Sequence, residues 1–211
     1  MHNKALLVSG LETLGIKNQG NLIDKLLIYM NLLTKWNHIY NLTAITEEPH
    51  IITHHLLDCL SIIKLIKATN ILDVGSGAGL PGLILALCFP DKKITMIDKV
   101  GKKTAFIQQV IGEFSLNNAR VLNGRVEDMK NYREHDGIIS RAFSDMETMI
   151  KLTSHLLLEG GNWYGMKSKK SKANEMAAIK YPYHVDKIDV PYLKAERYLI
   201  TVVNTATNKN L

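Results

Sequence analysis

The sequence predicts an α/β protein: a mostly parallel, seven-stranded sheet with helices on both faces, carrying a small helical extension at its N-terminus. Three observations predict it. Through residue 69 the apolar residues recur at helical steps of three and four. From residue 70 short apolar runs alternate with amphipathic ones, as strands and crossover helices do in a parallel sheet. Behind the first of these runs stand Gly75, Gly77, Gly79 and Gly82, and a strand that ends in a glycine loop is a ligand platform.

The elements follow in order. Leu22, Leu26, Tyr29, Leu33, Trp36 and Tyr40 place a helix over Asn21–Tyr40, with Asn21 and Asp24 as a capping pair at its start. Pro49 opens a second helix that buries Ile52, Leu56, Leu60 and Ile63, and it sets His50, His54, Asp58 and Ser61 on the other side. His54 and Asp58 are spaced to pair there. Two histidines four apart lack a third metal ligand nearby, so they read as polar helix surface or domain-interface hydrogen bonding, and no metal is expected. Strands are predicted at Ile71–Val74, Ile94–Ile97, Ala119–Leu122, Gly137–Ser140 and Gly161–Met166, with Val185–Val190 and Tyr198–Val203 as a closing pair. Helices are predicted at Pro81–Phe89, Lys102–Phe114, Met146–Leu158 and Ser171–Ile179. Right-handed crossovers then bring the strand ends, and the ligand, to one edge.

With 211 residues, 46% of them hydrophobic, the chain supports one core and one appendage: residues 1–69 as the extension packed on the core, 70–205 as the core, 206–211 as a tail. Cys59 and Cys88 sit in apolar runs without metal spacing, and no stretch reaches the roughly 18 apolar residues of a membrane span. A soluble, cytoplasmic protein is expected, a monomer with no obligate protein partner. The net charge of +6 is uneven: residues 151–211 carry ten Lys or Arg against five Asp or Glu. That local surplus suits a polyanion, or a solvated lysine-rich surface.

Two ligand classes compete for the loop. Gly77-Ala-Gly79-Leu-Pro-Gly82 satisfies the dinucleotide fingerprint, with Asp98 about 20 residues on. Asp73-Val-Gly75-Ser-Gly77-Ala-Gly79 is the D-x-G-x-G-x-G pattern of S-adenosylmethionine-dependent methyltransferases. Chemistry favours the second, because a carboxylate at the first strand end suits an ammonium and a sulfonium and does not suit a pyrophosphate. Asp98 ends the second strand, where an acid takes both ribose hydroxyls of either ligand. After the third strand Gly124-Arg-Val126-Glu127-Asp128 brings a backbone amide and an acid to the adenine position. The expected fold is therefore the Rossmann-like, class I S-adenosylmethionine-dependent methyltransferase fold. S-adenosyl-L-methionine is the cofactor and S-adenosyl-L-homocysteine its product.

Beyond the loop, several segments carry a family resemblance: Trp36-Asn-x-x-Tyr40-Asn41-Leu42-Thr43, His55-Leu-Leu-Asp58-Cys, Asp73 to Gly82, Gly124-Arg-Val-Glu127, Ile139-Ser-Arg141-Ala-Phe143 and Glu196-Arg197-Tyr. Together they resemble the ribosomal RNA small subunit methyltransferase G family, also known as glucose-inhibited division protein B, over nearly the whole chain. The resemblance implies N7-methylation of a guanine in the decoding-region loop of 16S rRNA, with the small ribosomal subunit as partner. It implies cofactor contacts at Gly75, Leu80, Asp98, Val126, Glu127 and Arg141. One position departs from the family pattern: Ser168 follows Lys167 where the family has glycine.

Guanine N7 has a free lone pair and no proton to lose, so its methylation calls for alignment and no general base. The fourth strand ends in Ser140-Arg141-Ala142-Phe143, without the Asn/Asp-Pro-Pro-aromatic pattern of exocyclic-amine enzymes, and neither cysteine lies at a strand end. No catalytic residue is assigned outright; Arg141 and Phe143, then Asn41 and Arg197, are the candidates for holding the flipped base. Lys167, Lys169, Lys170 and Lys172, with Arg197, are the expected rRNA contacts. The alternatives are a methyltransferase with a small-molecule or protein substrate and a non-catalytic Rossmann-like nucleotide- or RNA-binding module, the latter disfavoured by the complete set of Asp73, Asp98 and Arg141.

Overall fold

A computed structural model describes residues 2–18, 21–130, 133–141, 143–168 and 179–205. Seven strands form one sheet: β1 (Asn70–Val74), β2 (Lys93–Asp98), β3 (Ala119–Asn123), β4 (His135–Arg141), β5 (Leu157–Ser168), β6 (Tyr183–Ile188) and β7 (Arg197–Val203). Their order is β3-β2-β1-β4-β5-β7-β6. The first five strands run parallel, and β7 is antiparallel to both β5 and β6. In the central strands β1 and β4, Ile71, Leu72, Ile138 and Ile139 are all fully buried, as in strands covered on both faces. The order reverses between β1 and β4, which opens a crevice at their C-terminal ends.

Among the described residues three crossover helices cover the α/β part: α5 (Gly82–Cys88), α6 (Gly101–Glu113) and α7 (Met146–Thr153). Helix α7 stops earlier than the periodicity predicts, because Thr153 turns its hydroxyl inward to accept from Trp163 Nε1 at 2.9 Å, and Leu156 and Leu157 are buried where β5 begins. Of the predicted helix Ser171–Ile179, residues 171–178 lie outside the described residues. The closing strand expected at Val185–Val190 starts two residues sooner, at Tyr183.

The N-terminal part holds α1 (His2–Thr13), which sequence patterning missed because only Leu7, Gly10 and Leu11 of it are buried. Next comes α2 (Leu22–Tyr40), whose Leu22, Leu26, Tyr29 and Leu33 turn inward as expected. The predicted capping pair does not form: Asn21 adopts a left-handed conformation (φ 57°) with no side-chain cap bond, and Asn18 Oδ1 accepts from Ile23 N at 3.0 Å instead. Then α3 (Glu48–Ile51) passes through a π-helical stretch, Ile52–Leu57, into α4 (Asp58–Leu60). That wider turn takes Asp58 off the expected polar flank, leaving it only 4% exposed, while His50, His54 and Ser61 keep open surface.

Leucines and isoleucines of α1, α2 and the π-helical segment share one apolar cluster with Ile71 of β1, Leu83 of α5 and Phe106 of α6. Tyr29 and Trp36 of α2 meet the Phe106 ring edge-on, with centroids 5.9 and 5.6 Å away. Tyr29 also reaches through to the glycine loop, where its hydroxyl donates to the Ala78 carbonyl at 2.8 Å in a buried bond. A second cluster, with Leu72, Ile138 and Trp163, fills the opposite face of the sheet.

Candidate active site

The glycine loop is fixed from below. Gly75 N–H donates to Ile97 O at 2.9 Å, tying the loop to β2, and the chain then crosses Gly75, Gly77 and Gly79 at φ of 68°, 59° and 80°. Asp73 lies under the loop, fully buried: its Oδ2 accepts from Gly82 N–H at 2.9 Å, and Oδ1 is buried with no hydrogen-bond partner. Burial pushes its carboxyl up to about 7, against the stabilising bonds from Gly82 and Ser76. A buried acceptor with no donor, in a loop built for close backbone approach, fits a cationic ligand group.

Asp98 ends β2 and holds both sides of the loop mouth, with Oδ2 accepting from Gly77 N–H and Oδ1 from Val100 N–H, each at 2.9 Å. Lys103 Nζ is 4.0 Å from the same carboxylate. The 3₁₀ turn Val126–Asp128 follows β3 and presents Glu127, whose carboxylate its own backbone amide and Arg125, at 3.2 Å, hold below the usual range. Gly75, Asp98, Gly124, Val126 and Glu127 line one cleft of about 430 Å³ at the strand ends.

A second cavity, of about 650 Å³, adjoins it, with His54, Asp58, Arg141, Lys167 and Arg197 in its walls. Phe143 and Ser144 line both cavities, and Phe143 packs against Gly75 so closely that a Cβ there would come within 2.6 Å of its ring. The aromatic ring is thus the partition between the two. Asp58 anchors the second cavity: Oδ2 accepts from Arg141 Nη1 at 3.3 Å and Oδ1 from Arg197 Nε at 3.2 Å. Arg141 Nη1 also donates to the His54 carbonyl at 3.0 Å and lies 3.2 Å from His55 Nδ1. His55 Nε2 is 2.9 Å from Thr43 Oγ1, and Thr43 N–H donates to Asn37 Oδ1 at 2.8 Å. Burial, with Arg141 beside it, lowers His55 to about 4, so the ring is neutral in this chain of bonds at physiological pH.

Of the sequence-predicted cofactor residues, Gly75, Asp98, Val126 and Glu127 share the first cleft, while Asp73, Gly77, Gly79 and Leu80 build the loop beneath it. Arg141 lies in the second cavity, with Phe143 and Arg197. Asn41 ends α2 in a left-handed conformation and lines a neighbouring polar depression that shares Ile45 with that cavity. Lys167 does not stand in an exposed patch: it is 8% exposed and its ammonium donates to the Ser144 carbonyl, because β5 runs on to Ser168 and carries it inside. Lys169, Lys170 and Lys172 lie outside the described residues. His54 and Asp58 do not pair; Asp58 turns to the arginines, and the His54 ring meets Thr53 Oγ1 at 2.8 Å. Asp58 is a cavity-lining residue that the sequence places in no ligand site, since its spacing from His54 reads as an ordinary helix surface. Among the described residues no cluster of metal-ligating side chains is found, and no helix is long and apolar enough to cross a membrane.

The switch-point crevice, the glycine loop and the acids at successive strand ends define a class, the Rossmann-like S-adenosylmethionine-dependent methyltransferase fold. Solved structures share it. One is a SAM-dependent methyltransferase from Aquifex aeolicus, with TM-score 0.59, 14% identity, and 74% of this chain and 94% of that one covered. Another is a Burkholderia thailandensis 1,6-didemethyltoxoflavin-N1-methyltransferase with S-adenosylhomocysteine bound, with TM-score 0.52, 12% identity, and 71% and 77% covered. The family model for rRNA small subunit methyltransferase G matches residues 22–200. The ribosomal RNA small subunit methyltransferase G of Methylobacillus flagellatus is 41% identical over 194 residues, 92% of this chain and 95% of that protein. The chain belongs to the rRNA small subunit methyltransferase G family.

Proposed function

We propose that the protein transfers a methyl group from S-adenosyl-L-methionine to N7 of a guanine in the decoding-region loop of 16S rRNA, acting in the cytoplasm on the small subunit. One observation carries the reading: two cavities meet at Phe143, one with Asp98 and Glu127 at its strand ends, beside Lys99, Lys103 and Arg125, and suited to a nucleoside, the other with arginines suited to a base carbonyl and a phosphate. S-adenosyl-L-methionine supplies the methyl group and leaves as S-adenosyl-L-homocysteine. Asp98 takes the ribose hydroxyls, Val126 and Glu127 meet the adenine, and Asp73 places its negative charge behind the loop. Arg141 and Arg197 donate to guanine O6 and the nucleotide phosphate, while the Phe143 ring stacks on the flipped base. No proton leaves N7, so a cavity rich in donors and holding a neutral His55 needs no base for the step.

The reading is tested by mapping methylated guanines in 16S rRNA from cells with and without the gene by mass spectrometry. Calorimetry with S-adenosyl-L-methionine and with NAD accompanies it. Loss of one N7-methylguanine with the gene, and binding of the first ligand alone, are the expected results; an unchanged methylation map or preferential NAD binding removes the reading. Lys169, Lys170 and Lys172, three lysines within four residues, are proposed as phosphate contacts. Replacing all three with serine is expected to weaken rRNA binding and lower the log-affinity versus log-salt slope by about two. An unchanged slope in filter-binding titrations assigns the phosphate contacts elsewhere.

A further inference from the structure

Asp58 belongs by sequence to the N-terminal helices, yet both of its carboxylate oxygens are taken by arginines of the sheet, Arg141 at the end of β4 and Arg197 at the start of β7. The carboxylate is buried, and the two arginine side chains keep 21% and 23% of their surface open. A buried ion pair of this kind contributes little net stability over an apolar replacement, so its value here is geometric. Two guanidinium groups facing one cavity repel each other, and a carboxylate between them lets both stand there. The π-helical stretch Ile52–Leu57 makes the contact possible: one widened turn brings the His54 carbonyl and Asp58 to the same Arg141 nitrogen, and such turns concentrate at functional sites. Arginine has many rotamers to lose, and an anchored side chain has already given them up before substrate arrives.

We infer that Asp58 is a positioning residue for the target base: it fixes Arg141 and Arg197 so that their remaining N–H donors converge in the cavity beside Phe143, on the O6 edge of a guanine whose N7 faces the cofactor cleft. This rests on the guanine-methylation reading above. Asp58 lines the second cavity and is absent from the lining of the first. Its effect is therefore expected on methyl transfer and not on cofactor affinity.

Asp58→Asn keeps the shape and removes the charge. With small subunits from cells lacking the gene as substrate, kcat is expected to fall about 100-fold, the scale of an ångström-level misplacement, while the dissociation constant for S-adenosyl-L-methionine stays within about threefold. In an Arg141→Met background the same change is expected to lower kcat by clearly less than about 100-fold further, because one of the two residues it acts through is gone. Should Asp58→Asn not fold, Asp58→Glu carries the test, since it keeps the charge and shifts the oxygens by one methylene; its kcat should fall with cofactor affinity intact. A folded Asp58→Asn with near wild-type kcat, an effect that persists undiminished in Arg141→Met, or an unimpaired Asp58→Glu would overturn the inference alone. Wild-type protein that binds the cofactor but transfers no methyl to small subunits would overturn the guanine reading, and the inference with it.

Discussion

Asp73→Asn protein, free of cofactor, is expected to melt at a higher temperature than wild type at pH 8 and at about the same temperature near pH 4. The folded-state carboxyl titrates at about 7 against 3.8 as an ordinary value, because burial outweighs the bonds from Gly82 and Ser76. Between those two values the unfolded chain ionises freely and the folded chain does not. Stability from this group is thus lost as pH rises through that window and stays at its lowest above it. Three pKa units correspond to about 4 kcal/mol above pH 7. Asparagine keeps a carbonyl oxygen for Gly82 N–H and carries no charge. The same change should weaken S-adenosyl-L-methionine binding about tenfold, by removing the negative charge behind the loop. Thermal melts at both pH values, with calorimetry at pH 8, measure the two effects. An asparagine variant no more stable than wild type at pH 8 means that the folded protein carries no penalty for this charge.

Gly79→Ala and Gly77→Ala, two positions apart and both at positive φ, are expected to differ sharply. At Gly77 the nearest atom to a new Cβ is the Gly75 carbonyl oxygen at 3.9 Å, so alanine meets only the strain of a left-handed conformation at φ 59°, about 1–2 kcal/mol. At Gly79 the same strain, at φ 80°, is joined by a Cβ 2.3 Å from Leu83 Cδ1 and 3.3 Å from Ile107 Cγ1, both in side chains fully buried in the core. Overpacking there adds about 1–3 kcal/mol, for a total of about 3 kcal/mol. In a chain of this size that is about a 10 °C fall in melting temperature, with the loop displaced and cofactor binding lost. Equal melting temperatures for the two variants would show that Leu83 and Ile107 yield without resistance.

The loop and the sheet were legible because their signals are local. Ile71–Val74 followed by glycines, and Asp98 at the end of Ile94–Ile97, report their places through residues within reach of one another along the chain. Asp58 and Lys167 were not legible for the opposite reason. Asp58 looks like a helix surface until a π-helical turn rotates it inward, and the partners that make its burial tolerable come from Arg141 and Arg197, 83 and 139 residues away. Lys167 reads as the first of a lysine run, and only the length of β5 takes it inside to Ser144. Helix α1 escaped notice because three buried residues in twelve leave too weak a stripe. In each case tertiary partners decide what periodicity cannot.

The bond from the Tyr29 hydroxyl to the Ala78 carbonyl gives the N-terminal helices a hold on the cofactor loop that needs no contact with ligand. Opening of α2 removes a buried partner from a loop carbonyl and bares the face of Phe106 in one event, so the two regions form a single cooperative unit. Hydrogen exchange at the amides of Gly79 and Leu80, which bond to Ser76 O, is then a reporter on the docking of a helix some fifty positions earlier in the chain. Cofactor bound at the loop would in turn slow the fraying of that helix, linking ligand occupancy to order in the part of the molecule that carries Asp58.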